Sequence, residues 1–199
     1  MKRTVIVFAA AIMLLFGAEV FGAAVNLSFQ PAIRTFSSGE AFTVDLSISG
    51  LGHYNAPSLS VFDLDVCFDP SVLLFSSAEF GPFLGDISQY EALACTLRPS
   101  DVRPDGSRIP QGVVNLFELS LLDPAELNEL QPGEFNLAVL NFLALGEGDT
   151  GSLRVAHVSS LGDDEGGDLT PVPLPAAVIQ FAGGLTGLGA FHRKWLRRR

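Results

Sequence analysis

Apolar residues recur at every second position along much of this chain. From Glu40 to Ser49, Phe42, Val44, Leu46 and Ile48 alternate with Thr43, Asp45, Ser47 and Ser49. From Ser60 to Asp69, Phe62, Leu64, Val66 and Phe68 alternate with Val61, Asp63, Asp65, Cys67 and Asp69. A period of two predicts strands with one buried and one wet face. Further strands are predicted at 25–29, 72–80, 112–122, 135–144 and 152–158. Gly50-Leu51-Gly52, Asp69-Pro70, Gly81-Pro82 and Pro132-Gly133 punctuate them. Phe135 to Ala144 is apolar on both faces, the pattern of a central strand. One short helix is predicted, with Asp123 as cap, Pro124 at its first position and Ala125 to Leu130 as its body. Many short strands, one helix and 16 phenylalanines predict an all-β fold of two packed sheets. Residues 85–110, rich in Pro, Asp, Ser and Arg, break the alternation and predict a long surface excursion.

Both ends depart from this pattern. Lys2 and Arg3 precede an apolar core, Val5 to Gly17, and small residues follow, with Gly22 and Ala24 at the minus-three and minus-one positions of a cleavage site. That is the layout of a secretory signal peptide, so residues 1–24 are set aside. At the other end Val172-Pro173-Leu174-Pro175 leads into an uncharged run, Ala176 to Phe191, closed by His192 and a cluster containing Arg193, Lys194, Arg197, Arg198 and Arg199. The run is 16 residues, about 24 Å as a helix; counted back to Val172 it is 20 residues, just enough for a bilayer core of about 30 Å. The arginines predict a cytoplasmic stop under the positive-inside rule, which places the body outside.

This tail resembles the PEP-CTERM sorting signal of bacteria with two membranes. Val172-Pro173-Leu174-Pro175-Ala176-Ala177 is similar to the VPLPAA form of its motif, and Gly184-Leu185-Thr186-Gly187-Leu188 to its GLxGL helix. Leu174 stands where the commoner form has Glu. The resemblance implies a transient C-terminal transmembrane helix and recognition by an exosortase, a membrane protease-transpeptidase.

Setting the ends aside changes the charge. The chain has 12 basic and 22 acidic residues. Residues 25–175 keep five basic residues, all arginine (Arg34, Arg98, Arg103, Arg108 and Arg154), against 21 acidic ones, a charge of about −16. Such a body repels nucleic acid and anionic lipid. Neutral glycans, cations and other proteins remain as counterparts. The two cysteines, Cys67 and Cys95, are expected to pair in an oxidising compartment. Their loop of about 29 residues would add roughly 3 to 4 kcal/mol, and the bridge would pin the 85–110 excursion to the outer sheet.

The body itself resembles the cohesin-like domain. Phe62-Asp63-Leu64-Asp65-Val66-Cys67-Phe68-Asp69-Pro70, then Val72-Leu73 and Phe80-Gly81, carry the likeness, with the strand from Phe42 to Gly50 and the helix Asp123 to Leu130 in the matching order. The resemblance spans roughly 25–160 and implies a jelly-roll sandwich of about nine strands. Cys67 and the 85–110 excursion depart from it. The expected organisation is a signal peptide (1–24), a cohesin-like sandwich (25–161), an acidic flexible linker (162–171) and the sorting signal (172–199).

Candidate chemistry is sparse. Asp163, Asp164, Glu165 and Asp168 offer oxygen ligands for Ca²⁺, though a charged linker explains them equally well. Asp63, Asp65 and Asp69 read as a solvated strand face. His53, Tyr54 and Asn55 sit in a loop that could contact a sugar. No GxSxG, HExxH or phosphate-loop motif occurs, so no catalytic residue and no required cofactor is assigned. The expectation is an exported, non-enzymatic structural or interaction protein of the envelope, cell surface or extracellular matrix. Its partners would be an exosortase-type protease, the membrane transiently, and a matrix protein or polysaccharide. The rival is a carbohydrate-binding module that retains the chain in extracellular polysaccharide.

Overall fold

The computed structural model describes residues 25–170. Its strands are β1 (Asn26–Gln30), β2 (Thr35–Phe36), β3 (Ala41–Ser49), β4 (Leu59–Cys67), β5 (Leu73–Phe80), β6 (Ala92–Leu97), β7 (Val113–Ser120), β8 (Glu134–Ala144), β9 (Gly148–Asp149) and β10 (Arg154–Asp163). The single α-helix among the described residues, α1 (Pro124–Leu130), follows β7. Two four-stranded antiparallel sheets, ordered β1-β3-β8-β5 and β10-β4-β7-β6, face each other, and β2 pairs with β9 as a small third sheet. The all-β sandwich anticipated from the alternation is what forms.

The alternation places the core directly. Phe42, Val44, Leu46 and Ile48 of β3 and Phe62, Leu64 and Val66 of β4 are all buried and meet between the sheets. Phe142 of β8 lies at the centre, with the rings of Phe42, Phe68 and Phe75 centred 5.9, 5.5 and 5.8 Å away. β8 reads as apolar on both faces because it carries a bulge. Leu46 pairs with Ala138 but Ser47 pairs with Asn136, so Leu137 is the extra residue. Inward positions therefore switch from Phe135 and Leu137 to Ala138, Leu140, Phe142 and Ala144, as a two-against-one pairing requires. Helix α1 starts where its cap was expected, with the Asp123 amide donating to Glu126 Oε2 at 3.2 Å.

Two segments differ from the sequence expectation. The 85–110 excursion contains β6, which adds to the edge of the second sheet beside β7. Before it Ile87–Gln89 form a 3₁₀ turn, and after it residues 98–110 form a hairpin, closed by Ser100 N to Ile109 O (2.9 Å), Ile109 N to Asp101 O (2.9 Å) and Arg103 N to Ser107 O (2.8 Å). Its return reaches β7 through Gly112 at φ +73°, where an added Cβ would lie 2.6 Å from the Phe68 carbonyl oxygen. Only glycine suits that approach. The described part of the 162–171 linker is not a loose spacer. It turns at Asp163–Gly167 and runs back along β10, with Leu169 N donating to Leu161 O at 2.7 Å and Gly162 bridging Asp168. The acidic side chains hold this turn by accepting backbone hydrogen bonds, as short Asx side chains do.

The expected transmembrane helix, the sorting motif Val172–Pro175 and the basic cluster Arg193, Lys194 and Arg197–Arg199 lie outside the described residues. Among the described residues no helix is long and apolar enough to cross a membrane.

Candidate functional site

The second sheet has an unusual strand at its heart. β7 pairs with β4 on one side and β6 on the other, in register Val61↔Leu119↔Leu93, Asp63↔Phe117↔Cys95 and Asp65↔Asn115↔Leu97. Directly opposed residues point to the same face. Val114 and Leu116 enter the core, yet the next inward positions are Glu118 and Ser120, both buried. Phe117 and Leu119 therefore point outward, joined by Val61 and by Leu93, which is 49% exposed. Leu121, 52% exposed, continues the stripe opposite Glu91. The apolar and polar faces of β7 are exchanged over its second half.

Glu118 is the one acidic or basic side chain buried among the described residues, and both of its carboxylate oxygens lack a hydrogen-bond partner. Its register partners are Phe62 and Ala94, which offer no donor. Removal from water disfavours the charged form, and the Glu118 carboxyl is pushed up to about 8 by desolvation alone.

One row away the outer face is polar and partly roofed. Asn115, 4% exposed, donates through Nδ2 to Asp63 Oδ1 (2.6 Å) and Asp65 Oδ1 (3.0 Å). The Arg103 guanidinium, from the β6–β7 hairpin, donates to both Asp65 oxygens at 2.7 Å. A charge-assisted contact of this length is among the stronger hydrogen bonds. The hairpin is anchored further by Ile109, 2% exposed. Between hairpin and sheet a cavity of about 450 Å³ remains, with Asp63, Asn115, Leu97, Val102, Pro104 and Phe117 in its walls and Cys95 at its edge. Asp63 and Asp65, expected as a solvated strand face, thus belong to a partly covered site. Asp69 lies apart, in a turn where the Ser71 hydroxyl and amide hold its carboxyl below the usual range. Neither Asn115 nor Arg103 stood out in the sequence, because their roles depend on the β4–β7 register and on the hairpin folding back.

The expected Cys67–Cys95 disulfide does not form; both thiols are free. Cys67 faces Val113 and Cys95 faces Phe117, with β7 between them. Two strand spacings sideways and four residues along separate them by about 16 Å, against a limit of about 7 Å for a bridge. The Arg103–Asp65 ion pair holds the hairpin where the disulfide was expected to.

The four acidic residues near the end of the body do not converge. Asp163 Oδ1 accepts from the amides of Glu165 (3.0 Å) and Gly167 (2.5 Å). Asp164 accepts from Ser58 N (3.1 Å) and Asn128 Nδ2 (2.8 Å), and Asp168 from the Thr170 amide and hydroxyl, which hold its carboxyl below the usual range. Among the described residues no three such groups stand together as a metal ligand set. His53 and Tyr54 do come together: their rings are centred 4.5 Å apart, and Tyr54 is 55% exposed at φ +56°. Gly133 N donates to His53 Nδ1 at 3.3 Å and Tyr54 N to Gln131 O at 2.9 Å, which ties this loop to the end of α1. His157 is exposed on β10, opposite Asp65.

No protein-family model and no curated protein matches this chain. Solved structures do. A type I cohesin–dockerin complex from Clostridium thermocellum superposes with a TM-score of 0.50 at 10% identity, covering 74% of this chain and 92% of that one. A type II cohesin–X-dockerin complex from Acetivibrio cellulolyticus gives a TM-score of 0.50 at 16% identity, covering 72% of this chain and 89% of that one. The fold of the described residues is similar to that of the cohesin domains.

Proposed function

We propose that this chain is an exported, non-catalytic interaction protein that docks a partner protein on the outer face of the β10-β4-β7-β6 sheet. The observation that carries the reading is the reversal in β7. Val61, Leu93, Phe117 and Leu119 face outward from a sheet whose inner face already forms the core. A contiguous apolar patch on a sheet face, rimmed here by Asp63, Asp65 and Glu91, is the usual mark of an interaction surface. The two solved structures named above are cohesin–dockerin complexes, which supports the same role for this fold.

Delivery is assigned to the ends of the sequence. The signal peptide exports the body, and the Val172–Pro175 motif, apolar run and arginine cluster form a sorting signal for an exosortase-type membrane protease. The product resides at the cell surface or in the extracellular matrix. Intact mass of the protein from its native host tests this part. A mass lacking Arg197–Arg199 is expected, and a mature form that keeps them would overturn it.

The docking reading is tested by capture from the host's own extracellular fraction. Wild-type protein should retain a partner that Leu119→Asp does not. A second reading is favoured by the exposed His53–Tyr54 ring pair, which resembles a small sugar platform. Saturable binding on a glycan array, abolished by Tyr54→Ala and untouched by Leu119→Asp, would replace the first reading with the second.

A further inference from the structure

The cavity beneath the β6–β7 hairpin offers strong acceptors, and its one uncommitted donor is the weak thiol of Cys95. Asp63 Oδ1 receives a hydrogen bond from Asn115, whereas Asp63 Oδ2 receives none from any described residue. Asn115 must turn its NH₂ towards the two carboxylates, since an ionised carboxylate only accepts. Its carbonyl, Oδ1, is then left without a described donor although the residue is 96% buried. Leu97, Val102, Pro104 and Phe117 complete apolar walls. A ligand for such a space must bring hydrogen-bond donors and a positive charge, and present an apolar stem to the walls.

The neighbouring row shows how this face holds such a group. Asp65 is matched by the chain's own Arg103 guanidinium, while Asp63, two residues away on the same strand, forms no ion pair with any described residue. The body's charge of about −16 adds a long-range pull on cations.

We infer that this cavity binds a guanidinium or primary ammonium group on a short apolar stem, the chemistry of an arginine or lysine side chain. Asp63 is the counter-ion, Asn115 Oδ1 the second acceptor, and Phe117 and Leu97 line the stem. Assigning that side chain to a docked partner rests on the interaction reading above. Binding of the cation itself does not.

The experiment uses the full chain in detergent, labelled with ¹⁵N at asparagine, and follows the Asn115 side-chain amide. The probes are n-butylguanidinium and n-butylammonium, with neutral n-butylurea as control. Both cations should give a saturable shift with a Kd of about millimolar, the range open to so small a ligand. Asp63→Asn and the neutral probe should each bind at least about tenfold more weakly. An equal response to n-butylurea, an unchanged Kd in Asp63→Asn, or no shift with either cation would overturn the proposal. Leu93→Asp, outside the cavity, should keep probe binding while losing partner capture, so the two readings can fail separately. If saturating n-butylguanidinium displaces a captured partner, the cation comes from that polypeptide; if the partner stays, the site takes a free amine.

Discussion

The two sheets of the sandwich obey different rules. In β1-β3-β8-β5 the inner face is apolar and much of the outer face is a polar ladder. Gln30, Asp45 and Asn136 belong to it, with Asn136 donating to Asp45 at 2.9 Å and the Ser47 hydroxyl to Asn136 at 2.7 Å. In β10-β4-β7-β6 a carboxyl is turned inward and phenylalanine and leucine outward. The first arrangement is what stability alone selects. The second trades stability for an apolar outer surface, and such departures concentrate where a protein meets something else.

This contrast can be broken from either side. The largest effect is expected in the shared core. Phe142→Ala should lower unfolding free energy by about 3 to 5 kcal/mol in a denaturant titration, because three phenylalanine rings lose their common neighbour. Glu118 should give an effect of a few kcal/mol that depends on pH. The folded carboxyl holds its proton up to about 8, whereas the unfolded one releases it near the ordinary value of 4.5. The folded state binds more protons across that window, so stability should fall as pH rises from about 4.5 to about 8 and level off above. Glu118→Leu should flatten this slope and raise stability most at alkaline pH, measured by thermal melts across the range. A slope unchanged by the substitution would remove Glu118 from the account.

Smaller effects sharpen the outer face. Arg103→Ala should cost about 1 kcal/mol and speed amide exchange in the 98–110 hairpin more than in β3, since the ion pair is only partly exposed. Leu93→Ser should change stability by less than about 0.5 kcal/mol, as for other exposed positions, while weakening partner capture. Smallest of all, Cys67→Ser should melt at the same temperature relative to wild type with or without reductant. A loss confined to oxidising conditions would mean a disulfide links the two thiols after all.

The same contrast explains what could be read before the fold was known. β3 and the inner face of β4 follow strict alternation, and α1 carries its cap and leading proline, so local chemistry and global fold agree there. β7 could be placed as a strand, but Asn-Leu-Phe-Glu-Leu gives no hint that Glu118 is the inward residue. Only pairing with Phe62 and Ala94 decides it. β6 escaped notice because a six-residue edge strand sits among proline, aspartate and serine, which read as breakers. The acidic stretch after β10 reads as solvated because nothing in Gly-Asp-Asp-Glu-Gly-Gly reveals that Asp164 reaches Ser58 and Asn128, over a hundred residues away in one case. Of the candidate site the sequence singles out only Asp63 and Asp65, and it reads them as a solvated face; Asn115 and Arg103 join them through long-range register.

The doubling-back of residues 163–170 also shortens the chain left free between the sandwich and Val172. Leu169 is stitched to Leu161, and a single residue, Pro171, separates Thr170 from Val172. A ten-residue leash would have let the body roam over tens of ångströms, whereas the remaining slack is only about 3.5 Å per residue for a residue or two. Under the sorting role proposed above, a peptidase acting at Val172–Pro175 would have to work within a few residues of a folded strand edge.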